Sequence, residues 1–259
     1  MRRLLVIASL ILVGFTQVNA ADVRLQFDGV RQWDGVTGAG NSFHGGAGLF
    51  TWNHVSNLSP VGTAVFGATG DKAYSFCIEI GENISSGGSY NYTITSNLAS
   101  LPQSSVPGGM GPVRAAALQK LAAYIGANPS QFVMGGLYDA PEVQAAIWNI
   151  VFEANVADIW NGTGGSFAIA NPGGTLVAAN VNALLTAVST FSTTNPLKYF
   201  LGITNSSNQD QIVLVNPEQY QEGGGNIVPV PAGVVLSGIG IFCLTGVNYL
   251  RRRKTIMTA

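Results

Sequence analysis

The chain has 259 residues with 12 Lys and Arg against 13 Asp and Glu, a formal net charge of −1, and only 10% of its residues are charged. Half of the bases lie at the ends (Arg2, Arg3, then Arg251, Arg252, Arg253 and Lys254), so the six between Ala21 and Val228 meet all thirteen acids, and 6 − 13 = −7. An acidic middle without a Lys/Arg cluster leaves no footprint for a nucleic-acid partner, and 47% hydrophobic residues argue for a packed core over disorder.

Met1 to Ala20 joins a positive start (Arg2, Arg3), an apolar run from Leu4 to Phe15 and the small-residue ending Val18-Asn19-Ala20. This is the pattern of a secretory signal peptide cut after Ala20, because the run is too short to span a bilayer. From Asp22 to Val30, Val23, Leu25 and Phe27 alternate with Arg24 and Gln26, which predicts a strand. Further strands are expected at Phe43–Trp52, Val61–Phe66, Ala73–Ile80 and Tyr90–Thr95, short runs rich in aromatic and β-branched residues between Gly, Asn and Ser clusters. On the Ala73–Ile80 run, Tyr74, Phe76, Ile78 and Ile80 share one face and Ser75, Cys77 and Glu79 the other, so Cys77 projects from the more polar side.

The period then changes from two to 3.6. Pro112 opens a helix to about Gly126 with Ala117, Leu118, Leu121, Ala122 and Ile125 on one side. Asp139, Pro141 and Glu142 form the capping signature of a second helix reaching about Ala154, and a third is expected near Thr175 to Phe191. Gln144 shares the apolar stripe of Ile147, Trp148 and Val151, so it should be buried with a specific partner. Tyr199–Thr204 and Gln211–Val215 return to strands. Sheet, helices, sheet predicts an α+β domain over 21–222: a mixed antiparallel, barrel-like sheet with an inserted helical subdomain.

A Gly-rich spacer over 223–228 leads to Val228-Pro229-Val230-Pro231-Ala232 and to nineteen uncharged residues, Ala232 to Leu250. As a helix that stretch covers roughly 28 Å, enough for a transmembrane segment over 232–250. The Arg251, Arg252, Arg253 and Lys254 cluster places the C-terminus in the cytoplasm and the acidic middle outside. The only cysteines, Cys77 and Cys243, fall in the outer domain and within the span, so they cannot form an internal disulfide. A lone exported thiol has three readings: a buried small hydrophobe, an intermolecular disulfide, or a thiol consumed by other chemistry.

The order Val-Pro-Val-Pro-Ala, apolar span and Arg-rich end over about 229–254 resembles the PEP-CTERM class of bacterial sorting signals, in particular its VPLPA variant. That resemblance implies an exosortase-like transpeptidase as partner, a membrane-anchored precursor and release to, or attachment at, the cell surface or extracellular matrix. Phe76-Cys77-Ile78-Glu79 and Val143-Gln144-Ala145-Ala146-Ile147-Trp148 resemble the two halves of bacterial surface thioester domains, with Val143 in the position of the family's Thr. The region covered is about Gly46 to Glu153. In that family the Cys and Gln of such motifs join in an internal thioester, so the resemblance assigns the pair Cys77 and Gln144, with Glu79 as an orienting or proton-accepting group.

Under that resemblance, attack of the Cys77 thiolate on the Gln144 carbonyl expels ammonia and leaves an acyl electrophile that can acylate a Lys amine or a hydroxyl on a surface or matrix partner. The expected function is covalent adhesion, not enzymatic turnover, with no cofactor or metal implied. The alternative is a non-covalent matrix or biofilm structural protein of the same fold. A cysteine hydrolase has only His44 and His54 to draw on, neither in a motif, and zinc lacks ligand spacing.

Overall fold

The computed structural model describes residues 21–216, apart from 39–42, 81, 103–105, 107, 133–135, 166, 168 and 170–177. The leader over 1–20, the spacer, the sorting motif Val228–Ala232 and the span over 232–250 lie outside the described residues. Among the described residues, no helix is long and apolar enough to cross a membrane.

Period-two segments close into an antiparallel barrel. Its strands are β1 (Val23–Gly38), β2 (Phe43–Asn57), β3 (Lys72–Cys77), β4 (Ser89–Thr95), β5 (Tyr199–Asn205) and β6 (Asn208–Val215). They pair in the order β1-β2-β3-β6-β5-β4, and Val23↔Tyr92 and Leu25↔Tyr90 return β4 to β1. Closure leaves no sheet edge along the paired stretches. Alternation turns Val23, Leu25, Trp52 and Tyr92 into the core, where Trp52 meets Tyr92 edge-on with ring centres 5.6 Å apart. β1 runs past the expected Val30 because register shifts at Arg24/Leu25, Phe27/Gly29 and Arg31/Asp34 absorb the irregular spacing of its apolar residues.

The expected strand Val61–Phe66 is instead the helix α1 (Pro60–Phe66). Three local features overrule its β-branched composition. The Ser59 side chain accepts a hydrogen bond from the Gly62 N–H at 3.2 Å, Pro60 occupies the first turn, and Gly67 ends the helix at φ 69°.

Between β4 and β5 come α2 (Gly111–Ala127), α3 (Ala140–Phe152) and α4 (Ala178–Thr190). α3 starts with the expected capping box, in which the Asp139 N–H donates to Glu142 Oε2 at 3.0 Å. Leu118, Leu121, Ile147, Leu184 and Val188 join Trp52, Phe76 and Phe200 in one continuous apolar core. The helices are thus inserted in sequence but share the barrel's core, and the chain is a mixed α+β domain.

Candidate functional site

Residue by residue, the site begins where two strands part. β2 pairs with β3 from Asn53↔Lys72 to Phe50↔Ser75 and no further, while on its other side β3 stays with β6 through Phe76↔Ile212 and Cys77↔Gln211. In an antiparallel ladder the N–H and C=O of one residue point the same way. Ile78 N–H reaches Asp210 O on β6, so the Cys77 peptide groups face the opening left by β2. Buried there without partners, each would cost ~1–3 kcal/mol.

Gln144 fills that opening. The Cys77 N–H donates to Gln144 Oε1 at 2.8 Å, and Gln144 Nε2 donates to Cys77 O at 2.6 Å. Its primary amide takes the place of a strand's peptide group. The two residues stand 67 apart in sequence, and both are 0% exposed. The sequence places Gln144 on a buried stripe, and the structure gives that side chain the strand residue Cys77 as its partner.

The Cys77 sulfur is enclosed as tightly. Its S–H donates to Glu79 O at 2.6 Å, and the Glu79 N–H approaches the sulfur at 3.2 Å. Alternation puts its side chain on the face of Ser75 and Gln211. There Trp52 Nε1 donates to Ser75 Oγ at 2.7 Å and Ser75 Oγ to Gln211 Oε1 at 3.1 Å. The polar face of β3 is thus buried, and at Phe76 and Ile78 the opposite face is buried as well. Burial pushes the Cys77 thiol far above its ordinary range; the Glu79 main chain and the Trp148 side chain, both hydrogen-bonded to the sulfur, oppose that rise, and the negative charges of Glu79 and Asp210 add to it.

Glu79 therefore meets the sulfur through its main chain. Its carboxylate accepts from the Asp210 N–H at 2.8 Å, and Gln209 Nε2 donates to Glu79 O at 2.8 Å. This orients the turn that holds the thiol, whereas the charge of Glu79 disfavours a thiolate. Gln209 and Asp210 are site residues that sequence reasoning missed. The available signal was the polar run Asn208-Gln209-Asp210-Gln211 entering an otherwise apolar strand.

A second glutamine does the same work without a cysteine. Gln119 on α2 accepts from the Phe200 N–H at 2.9 Å and donates to Phe200 O at 2.7 Å. It fills the opening where β4, whose pairing stops at Thr95↔Gly202, leaves β5. Beside the first clamp lies a cleft of about 310 Å³ lined by Phe76 and Val143, the chain neighbours of Cys77 and Gln144. Tyr74, Phe132 and Tyr138 add aromatic walls, and Asp139 is the charged side chain among its described lining residues.

His54, one of the two imidazoles, is buried on β2 with Nδ1 bonded to Ala68 O at 2.8 Å and its ring against Phe66. Among the described residues, no three His, Cys, Asp or Glu side chains gather to hold a metal. Compared with known proteins, the chain matches no family, no curated protein and no solved structure.

Proposed function

We propose that Cys77 and Gln144 form an internal thioester and that the domain is an exported surface protein that bonds covalently to a partner. The observation that carries this reading is the clamp itself: a cysteine and a glutamine 67 residues apart share two hydrogen bonds in a site closed to water. The arrangement suits the chemistry. Attack of Sγ on Gln144 Cδ puts negative charge on Oε1, and the Cys77 N–H already donates to that oxygen. A C–S bond forms, the C–N bond breaks, the S–H proton passes to the departing nitrogen, and ammonia leaves. Burial of the pair itself, 0% exposed, on a helix whose Trp148 and Ile147 are 3% and 0% exposed, keeps water from the product.

The remainder of the reading rests on the sequence ends. The signal peptide delivers the domain across the membrane, and the PEP-CTERM-like segment, with its span over 232–250 and the Arg251–Lys254 stop, holds it there for an exosortase-like transpeptidase. An acidic, lysine-poor outer domain limits self-acylation.

Intact-mass spectrometry tests the bond. The chain is expected to weigh one ammonia less than its sequence requires and to gain one methylamine on incubation with that amine. Both signatures should vanish in Cys77→Ala and in Gln144→Ala. A chain of full mass that takes up no methylamine rejects the thioester. One observation favours the second reading, a non-covalent matrix protein of the same fold: Gln119 clamps Phe200 with the same pair of bonds and no sulfur nearby in sequence.

A further inference from the structure

One carbonyl beside the thiol has two donors, and the acyl shift consumes one of them. Glu79 O accepts the Cys77 S–H at 2.6 Å and Gln209 Nε2 at 2.8 Å, which fills both of its lone pairs. Gln209 lies two residues before Gln211, the partner of Cys77 across β3 and β6, and its amide is held in turn. Gln211 Nε2 donates to Gln209 Oε1 at 3.2 Å, Ser75 Oγ to Gln211 Oε1 at 3.1 Å and Trp52 Nε1 to Ser75 Oγ at 2.7 Å. The donors of this buried chain all point one way, toward Glu79 O, so Gln209 cannot turn its N–H elsewhere without breaking the bond behind it. Resting on the thioester reading, we propose that Gln209 is a positioning residue for the acyl shift: acting through Glu79 O, it keeps that carbonyl hydrogen-bonded once the thiol has given up its proton.

Sγ bonds to Gln144 Cδ, the Cδ–Nε2 bond breaks, the thiol proton passes to that nitrogen, and ammonia leaves. The thioester sulfur carries no hydrogen, so Glu79 O loses one donor on reaction and retains the Gln209 amide. Without Gln209 the same carbonyl, on a residue 1% exposed, would go from one donor to none. An orphaned buried acceptor shifts the equilibrium against the thioester by about tenfold, while the thiol form, which keeps its S–H, escapes that penalty. Gln209 thus favours the thioester over the thiol and amide, whereas a purely structural side chain would stabilise both forms equally. Ammonia also takes with it the donor of Cys77 O, but that loss is common to wild type and Gln209 variants and cancels between them.

The test holds the full chain in ammonia buffers until the intact-mass ratio of thioester to amide is constant, for wild type, Gln209→Leu and Gln209→Glu. At equal ammonia concentration the Gln209→Leu ratio is expected about tenfold below wild type at every pH. The carboxyl introduced by Gln209→Glu can donate to Glu79 O only while protonated. Beside the carboxylates of Glu79 and Asp210, with the Tyr92 hydroxyl on the main chain of residue 209, it keeps its proton to higher pH than an exposed carboxyl. Its ratio, divided by that of wild type, should therefore fall as pH rises from about 6 to about 9. A folded Gln209→Leu chain with the wild-type ratio overturns the role of Gln209 and leaves the thioester standing. If Gln209→Leu does not fold, Gln209→Glu decides, and a wild-type ratio throughout that pH range overturns the proposal. A wild-type chain of full mass that takes up no methylamine overturns it together with the thioester.

Discussion

Cys77 sets burial against reactivity. With the thiol at 0% exposure, its folded-state pKa stands above the ordinary thiol value of 9.0. A group raised in the folded state contributes stability that is complete below its unfolded pKa and is lost as pH climbs toward the folded one. A free thiol here must therefore weaken the fold as pH rises above 9.0, whereas a thioester sulfur has no proton to lose. Tyr92, raised first by its own burial and to a lesser degree by Cys77 among its charged neighbours, is present in both wild type and Cys77→Ala, so most of its contribution cancels in the difference between them. We expect the difference in denaturant stability between the two to stay flat from about pH 8 to about pH 10.5. A difference that shrinks with pH by up to ~1.4 kcal/mol per unit would identify an unreacted thiol.

At the scale of elements, the two glutamine clamps explain how helices lock onto a barrel. Where β2 leaves β3 and β4 leaves β5, α3 and α2 each lend an amide to the orphaned peptide groups. Gln119→Ala and Gln144→Ala should each destabilise by ~1–3 kcal/mol per stranded backbone group, read from chemical denaturation. Intact mass should separate them: Gln119→Ala keeps the ammonia deficit and Gln144→Ala loses it. If both variants carry the deficit, residue 144 is not the acyl donor. The helices themselves were legible from sequence, because Asp139-Ala140-Pro141-Glu142 and the Ala117–Ile125 stripe are local signals. Val61–Phe66 was misread as a strand because four of its six residues are β-branched or aromatic and so short a run shows no helical period, and the deciding Ser59-Pro60 start lies just outside it. Burial of Gln144 was legible from its stripe. The polar run before Gln211, the clamp of Gln119 and the barrel order were not, since β3–β6, β1–β4 and Gln119–Phe200 join segments far apart in the chain.

For the whole molecule, the proposed export reading assigns the segregated charge an order of events at the envelope. Asp22 is already fixed: Ser59 Oγ donates to its Oδ1 at 2.5 Å and the Ile94 N–H to its Oδ2 at 2.8 Å, tying β1's start to α1's cap and to β4. A cut after Ala20 leaves Ala21 ahead of this anchor, whereas a cut two residues later would remove Asp22 and strand the Ile94 N–H. N-terminal sequencing of the exported form is therefore expected to begin at Ala21, and a start beyond Asp22 would contradict the anchor's importance. At the other end β6 stops at Val215, and the thirteen residues Asn216 to Val228 reach at most ~45 Å when extended, enough to hold the barrel clear of a bilayer. Under the proposed sorting reading, the four bases Arg251 to Lys254 resist crossing the membrane, and release would require a cut on the outer side of the proposed span. In a host with an exosortase, replacing Pro229 and Pro231 by Ala should keep the chain in the cytoplasmic-membrane fraction at full C-terminal length, while the wild type loses its last residues and moves outward. Equal processing of both, seen by C-terminal mass mapping, would show that the Val-Pro-Val-Pro-Ala segment is not read and that the span is a permanent anchor.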